Sequence, residues 1–146
     1  MAAYQHKRVH GIIYTIRPVA TASAFFVTQL KGYTLEIMTT QRPNGVAVVQ
    51  PTGRIDSYTA LAFKKRLGES IDSGYRWLVI DFSAVTFLDS TGLGALVTGL
   101  KRAQELGGDL RLAQVPHNVR MMIELTALQY YLPRYASVDD ALASYP

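Results

Sequence analysis

The sequence predicts one α/β domain with a mixed, mostly parallel sheet of four to five strands and about four helices. Three observations carry this prediction. Strand-like and helix-like segments alternate from residue 34 onward, residues 77–80 are apolar throughout, and two segments have apolar residues at helical spacing. A continuous apolar strand is typical of a sheet covered on both faces. Strands that alternate with helices favour right-handed parallel connections.

A hairpin is predicted at the start of this domain. Residues 34–38 alternate between apolar and polar side chains, which predicts an edge strand, and residues 46–50 predict its partner. The turn between them ends in Asn44-Gly45, a pair typical of hairpins.

The first helix follows from apolar residues at positions 60, 63, 67 and 71. Asp56 or Ser57 is the expected N-cap, and Ser73-Gly74 the expected end. The central strand 77–80 comes next. The next helix has Leu93, Leu96, Val97 and Leu100 on one face and stops at Gly107-Gly108. A strand at 109–115 and a helix opened by Pro116 and Asn118 follow it. The chain ends with a short strand at 130–134 and a last helix capped by Ser137.

The predicted domain spans residues 34–146, and residues 1–33 form an N-terminal extension. Three interpretations of the extension stay open: a start codon placed too early, an additional strand or arm, and a targeting segment. The formal net charge of +4 comes entirely from residues 1–35, because the rest of the chain has 11 basic and 11 acidic residues. The domain therefore gives no electrostatic signal for nucleic acid, and we expect no direct nucleic-acid partner.

Composition excludes several further classes of function. The 146 residues include no cysteine, which excludes disulfides and thiolate metal sites and fits a cytoplasmic protein. His6, His10 and His117 lack the spacing of metal ligands, so we expect no metal. No apolar run reaches the roughly 20 residues that a membrane helix needs.

The most informative stretch runs from residue 79 to residue 94, from a buried strand through a loop into a helix. Ser90 stands where the helix should begin. A hydroxyl there either caps the helix or presents a phosphorylation site, because helix N-termini favour negative charge. Gly92 and Gly94 each weaken the first turn by roughly 1 kcal/mol, which suggests that another surface approaches this backbone closely.

An enzyme is not expected. Ser90 lacks the glycine two residues upstream that a nucleophile elbow has, and His117 is the only histidine of the domain. The stretch 90–94 also lacks the lysine of a nucleoside-triphosphate loop and the three-glycine spacing of a dinucleotide site. We therefore predict neither catalysis nor a cofactor.

The segment Asp89-Ser90-Thr91-Gly92-Leu93-Gly94 resembles the signature of the STAS family, specifically the bacterial anti-sigma factor antagonists. The resemblance extends over about residues 34–146. It includes Gly53-Arg54-Ile55-Asp56 before the first helix, the central strand 79–82, Gly107–Leu110 and Leu125–Leu128. Position 54 is often acidic in these antagonists and is Arg54 here.

This resemblance implies a partner switch in which Ser90 is phosphorylated by an anti-sigma factor serine kinase and reset by a PP2C-type phosphatase. It implies a partner-binding surface, which would comprise Asp56, Asp89, Thr91, Gly92, Leu93 and Gly94. Asp56 is equally suited to capping the first helix. The alternatives are a STAS scaffold that is never phosphorylated, such as a subunit of a transport complex, and an enzyme or nucleotide-binding protein.

Overall fold

The computed structural model describes the backbone of residues 5–9, 12–19, 23–30 and 32–146, and the side chains of residues 25–29 and 32–146. The strands are β1 (Gln5–Val9), β2 (Ile12–Val19), β3 (Ser23–Leu30), β4 (Tyr33–Arg42), β5 (Val46–Ile55), β6 (Trp77–Asp81), β7 (Val85–Leu88), β8 (Asp109–Ala113) and β9 (Arg134–Tyr135). The helices are α1 (Ala60–Asp72), α2 (Ser90–Glu105), α3 (His117–Leu125) and α4 (Val138–Ala143), with single 3₁₀ turns at Pro43–Gly45 and Leu128–Tyr130.

All of these strands join one mixed sheet. Its order is β1-β2-β3-β4-β5-β6-β8-β9, and β7 pairs with β5 beside this path. The pairs from β1 to β5 are antiparallel, whereas β5 pairs in parallel with both β6 and β7, and β6-β8 and β8-β9 are also parallel. The α/β class and the four helices are confirmed. The described part of the chain has nine strands instead of the predicted four to five, and antiparallel pairs are as numerous as parallel ones.

The prediction that residues 34–38 form an edge strand is wrong. β3 pairs with β4 along its length, from Ser23↔Thr40 to Leu30↔Tyr33, so β4 lies inside the sheet. Leu35 and Ile37 are fully buried under the helices. The alternation arises because only one face of β4 carries helices, a pattern that an inner strand shares with an edge strand. The sheet thus continues across the predicted domain boundary at residue 34.

The main core lies between the sheet and α1 with α2. It contains Phe63 and Leu67 from α1 and Leu96 and Leu100 from α2, packed on the inner strands. Both helices end where glycines predict: Gly74 and Gly107 have φ of +100° and +79°, a conformation that favours glycine. This layer fixes the position of the first turn of α2.

The opposite face of the sheet carries a smaller core under α4. Tyr145, which follows α4, is only 8% exposed and packs against Trp77 at a ring distance of 5.1 Å. Its hydroxyl donates a hydrogen bond to the carbonyl of Leu78 in β6 over 2.6 Å. Burial raises the pKa of the Tyr145 hydroxyl far above its ordinary value, an effect that Asp109 increases and Arg111 opposes.

Tyr145→Phe is expected to lower the free energy of unfolding by about 1 kcal/mol at neutral pH, since one buried hydrogen bond is lost.

The raised pKa of the Tyr145 hydroxyl also predicts that the wild type becomes less stable at alkaline pH. The unfolded tyrosine ionises above about pH 10 while the folded one stays neutral, so stability falls as the pH rises past that value. Urea titrations at pH 8 and above pH 10 measure the free energy of unfolding. Between these two pH values, it should fall less for Tyr145→Phe than for the wild type. An equal loss in both proteins would contradict this assignment.

Candidate functional site

The candidate site lies where β5 and β7 end side by side. Their parallel register pairs Arg54 with Phe87 and Ile55 with Leu88. The amide of Asp89 extends this pairing by donating to the carbonyl of Ile55 over 3.2 Å. The segments that follow both strands therefore leave the sheet at one edge, which brings the starts of α1 and α2 together. β7 was not predicted, because a run of four residues is too short to give a clear strand signal.

Asp89, and not Ser90, caps α2. Its backbone is extended, and its Oδ1 accepts hydrogen bonds from the amides of Thr91 at 2.9 Å and Gly92 at 3.0 Å. Ser90 is the first helical residue, so the interpretation of its hydroxyl as the N-cap is wrong. Aspartate and serine are both good N-caps, and the backbone conformation decides between adjacent candidates.

Ser90 is exposed on the first turn of α2. Its hydroxyl makes no hydrogen bond within the described part of the chain. The fold therefore does not use this hydroxyl, and the oxygen is accessible from outside. Thr91, the next residue, is also exposed.

The two glycines of this turn have different roles. A Cβ on Gly92 would lie 2.5 Å from Leu88 Cδ1 and 2.7 Å from the carbonyl oxygen of Ile55, so close packing on the sheet requires glycine. A Cβ on Gly94 would meet no atom within 4 Å. Leu93 between them is buried in the main core, where it anchors the turn. Only Gly94 offers backbone to an approaching surface.

Asp56 is buried and holds the turn before α1. Its Oδ1 accepts from the amide of Tyr58 at 3.0 Å, and its carbonyl accepts from the amide of Ala60 at 2.8 Å. α1 begins at Ala60, and Thr59 is its N-cap residue, so the prediction of Asp56 or Ser57 as the N-cap is wrong. Asp56 caps the turn that leads into α1, which explains its burial, and a role in partner binding stays a prediction.

Arg54 and three aromatic residues border the site, and the sequence patterns did not single out the aromatic ones. The Arg54 guanidinium lies 4.1 Å above the Phe87 ring and 3.5 Å from the Asp56 carboxylate, with half of its side chain exposed. Tyr33 and Tyr58 stack at 4.4 Å. The register of β5 with β7, invisible in the sequence, brings Arg54 to Phe87. The edge of the site thus presents the Arg54 guanidinium and aromatic rings beside the carboxylates of Asp56 and Asp89.

Asp89→Ala is expected to lower the free energy of unfolding by about 1 kcal/mol, because two amides of α2 lose their acceptor. Ser90→Ala should change it by less than about 0.5 kcal/mol, as is usual for an exposed side chain without contacts. Urea denaturation followed by circular dichroism measures both values. A larger loss for Ser90→Ala than for Asp89→Ala would mean that the cap is misassigned.

Comparison with known proteins identifies the family. The sequence model of the STAS domain matches residues 37–141, and the chain belongs to the STAS domain family. The anti-sigma-F factor antagonist RsfB of Mycobacterium tuberculosis is 35% identical over 101 residues, which are 68% of this chain and 80% of that protein. The resemblance inferred from the segment 89–94 is thereby confirmed.

Solved structures agree with this assignment. An anti-sigma factor antagonist from Mycobacterium paratuberculosis superposes with a TM-score of 0.68 and 33% identity, covering 75% of this chain and 92% of that chain. The phosphorylated form of the Bacillus cell fate determinant SpoIIAA has a TM-score of 0.60 at 14% identity, covering 73% of this chain and 96% of that one. This second likeness shows the fold alone.

The described residues lack two further features. None of the helices in this part of the chain is both long and apolar enough to cross a membrane. These residues also contain no cluster of three or more histidines and acids suited to a metal ion.

Proposed function

We propose that this chain is an anti-sigma factor antagonist that acts by partner switching. The unphosphorylated form binds an anti-sigma factor serine kinase and thereby frees the sigma factor. The kinase transfers the terminal phosphoryl group of ATP to the Ser90 oxygen, ADP leaves, and the hydroxyl proton passes to the kinase. A PP2C-type phosphatase then hydrolyses the phosphate ester. The names of the relatives support the antagonist role.

One observation carries the choice of Ser90: its exposed hydroxyl has no partner among the described residues, because Asp89 supplies the cap. A kinase can therefore take this oxygen without displacing any hydrogen bond of α2. Phosphorylation of a capping serine would instead compete with the fold. In this proposal the chain is the substrate and ligand of other enzymes and performs no catalysis itself.

Electrostatics indicate how the phosphate acts. It adds about −1.5 to −2 charges at neutral pH. The N-terminus of α2 attracts that charge, while the Asp89 carboxylate beside it repels it. The domain therefore stays folded, and the added charge acts on the partner surface. Circular dichroism of the phosphorylated chain should retain the helical signal, and a large loss would contradict this mechanism.

The direct test is phosphorylation in solution. The purified full chain is incubated with ATP and each anti-sigma factor serine kinase encoded in the genome of its source. Intact mass should increase by one phosphate, and peptide mapping should place it on Ser90. Ser90→Ala should abolish the modification.

Thr91→Ala is the matched control for the position of the phosphate. It removes the neighbouring exposed hydroxyl, and because Thr91 belongs to the predicted partner surface, the rate of phosphorylation can change, but the phosphate should still map to Ser90. A chain that binds a kinase but never acquires phosphate at Ser90 would refute the switch and favour the unphosphorylated STAS scaffold. Modification that persists in Ser90→Ala would also refute the assignment.

A further inference from the structure

A surface groove lies between α1 and α2 and extends away from the Ser90 site. Leu61, Lys64 and Thr98 line its middle. A cavity of about 410 Å³ continues it to Thr91 and Gly94 in the first turn of α2. A second cavity of about 500 Å³ shares the middle residues and continues it towards the other end of both helices. We call this continuous depression the α1–α2 groove.

The far end of the groove is electrostatically satisfied. Asp72 forms an ion pair with Arg102, and Glu69 forms one with Arg66. The middle is different. Lys64 is exposed and has no hydrogen bond or ion pair with a described residue. The groove therefore presents an uncompensated positive charge at its centre.

Apolar surface accompanies this charge. The Leu61 side chain, one helical turn before Lys64, is 51% exposed. Gly94 faces the near end of the groove, and a Cβ there would meet nothing within 4 Å. Glycine in a helix costs about 1 kcal/mol relative to alanine. No packing contact among the described residues requires glycine at position 94. The missing side chain instead leaves room for another molecule.

We infer that the α1–α2 groove binds an acidic segment of the anti-sigma factor serine kinase, with an apolar side chain against Leu61 and a carboxylate beside Lys64. This inference rests on the proposed function and extends its partner surface. Charge complementarity favours an acidic occupant, because Lys64 is the cation at the centre of the groove without a counter-ion among the described residues. The near end of the groove lies within the same helical turn as Ser90, so one partner spans both surfaces.

If the kinase contacts both the Ser90 turn and the α1–α2 groove, phosphorylation affects these two contacts unequally. A phosphate on Ser90 acts at the start of α2, whereas the centre of the groove lies farther along both helices. Because the phosphate charge lies within the first contact, it weakens that contact more than the second. The phosphorylated chain accordingly keeps part of its affinity for the kinase.

The test measures the dissociation constant of the full-length chain with the kinase found in the phosphorylation assay. Lys64→Glu should bind about tenfold more weakly, with a flatter dependence on salt, because attraction becomes repulsion. Leu61→Ser should also bind about tenfold more weakly, since apolar contact is lost. Arg120→Glu reverses an exposed charge on α3, outside the groove, and should stay within about twofold of the wild type.

The outcomes separate this inference from the proposed function. Failure of the wild type to bind any of the kinases overturns both. Normal binding by Lys64→Glu and Leu61→Ser, together with weak binding by Ser90→Asp, overturns the groove alone. Sedimentation provides a further check: if Lys64→Glu changes self-association but not kinase affinity, a second copy occupies the groove and the inference is wrong. Circular dichroism verifies the fold of each variant. If Leu61→Ser misfolds, the affinity of Lys64→Glu alone decides the test.

Discussion

Gly92→Ala is expected to lower the free energy of unfolding by about 3 kcal/mol, the upper range for overpacking a core. The added methyl group would lie 2.7 Å from the carbonyl oxygen of Ile55 and 2.8 Å from its Cγ2. Leu88 Cδ1, at 2.5 Å, can rotate away, but the Ile55 carbonyl belongs to β5 and accepts the amide of Asp89. α2 must therefore move away from the sheet. Urea denaturation with linear extrapolation measures the loss.

Gly94→Ala is the matched control, two residues along the same helix. No atom lies within 4 Å of the new methyl group, so the variant should gain about 0.5 to 1 kcal/mol from helix propensity. Equal destabilisation by both substitutions would show that the close approach of α2 to β5 is not what constrains Gly92.

Ser90→Asp is expected to weaken binding of the kinase about tenfold, which corresponds to about 1.4 kcal/mol. The added carboxylate lies next to Asp89, and two neighbouring negative charges repel an acidic partner or resist desolvation by any partner. Stability should not fall, because an acid in the first turn of a helix is favourable. Isothermal titration calorimetry with the kinase, and urea denaturation of the free chain, measure the two quantities separately.

Two variants control this result. Ser90→Ala should bind within about twofold of the wild type, since the hydroxyl carries no charge. Gln104→Glu adds the same charge near the opposite end of α2 and should also leave binding unchanged. If Gln104→Glu weakens binding as much as Ser90→Asp, net charge is responsible and not the position of Ser90.

Much of the fold follows from the sequence because helices bury one face. The apolar spacing around Phe63 and Leu96 predicts α1 and α2, and glycines mark their ends. The edge assignment of β4 failed for a physical reason: the alternation of Leu35 and Ile37 records burial of one face and carries no information about neighbouring strands. β5 pairs with β4 as predicted, whereas its second partner, β3, comes from the segment that precedes the predicted domain.

The site was only partly predictable. The residue types of the segment 89–94 identified the family. They did not distinguish Asp89 from Ser90 as the cap, because both residue types suit that role and backbone angles decide. Nor did they distinguish Gly92 from Gly94. That difference depends on the pairing of Ile55 with Leu88, which places backbone of β5 beneath one glycine and leaves the other in the open.

The separation of Asp89 and Ser90 into two adjacent roles bears on how such a chain changes by descent. Selection for a folded domain acts on Asp89 but not on Ser90, since only the Asp89 side chain supports the helix. Under the proposed switch, a single nucleotide change at the serine codon can therefore produce a copy that folds normally but no longer accepts a phosphate. If the proposed switch operates, a duplicated gene is one mutation away from an antagonist that cannot be phosphorylated, and no compensating substitution elsewhere is needed.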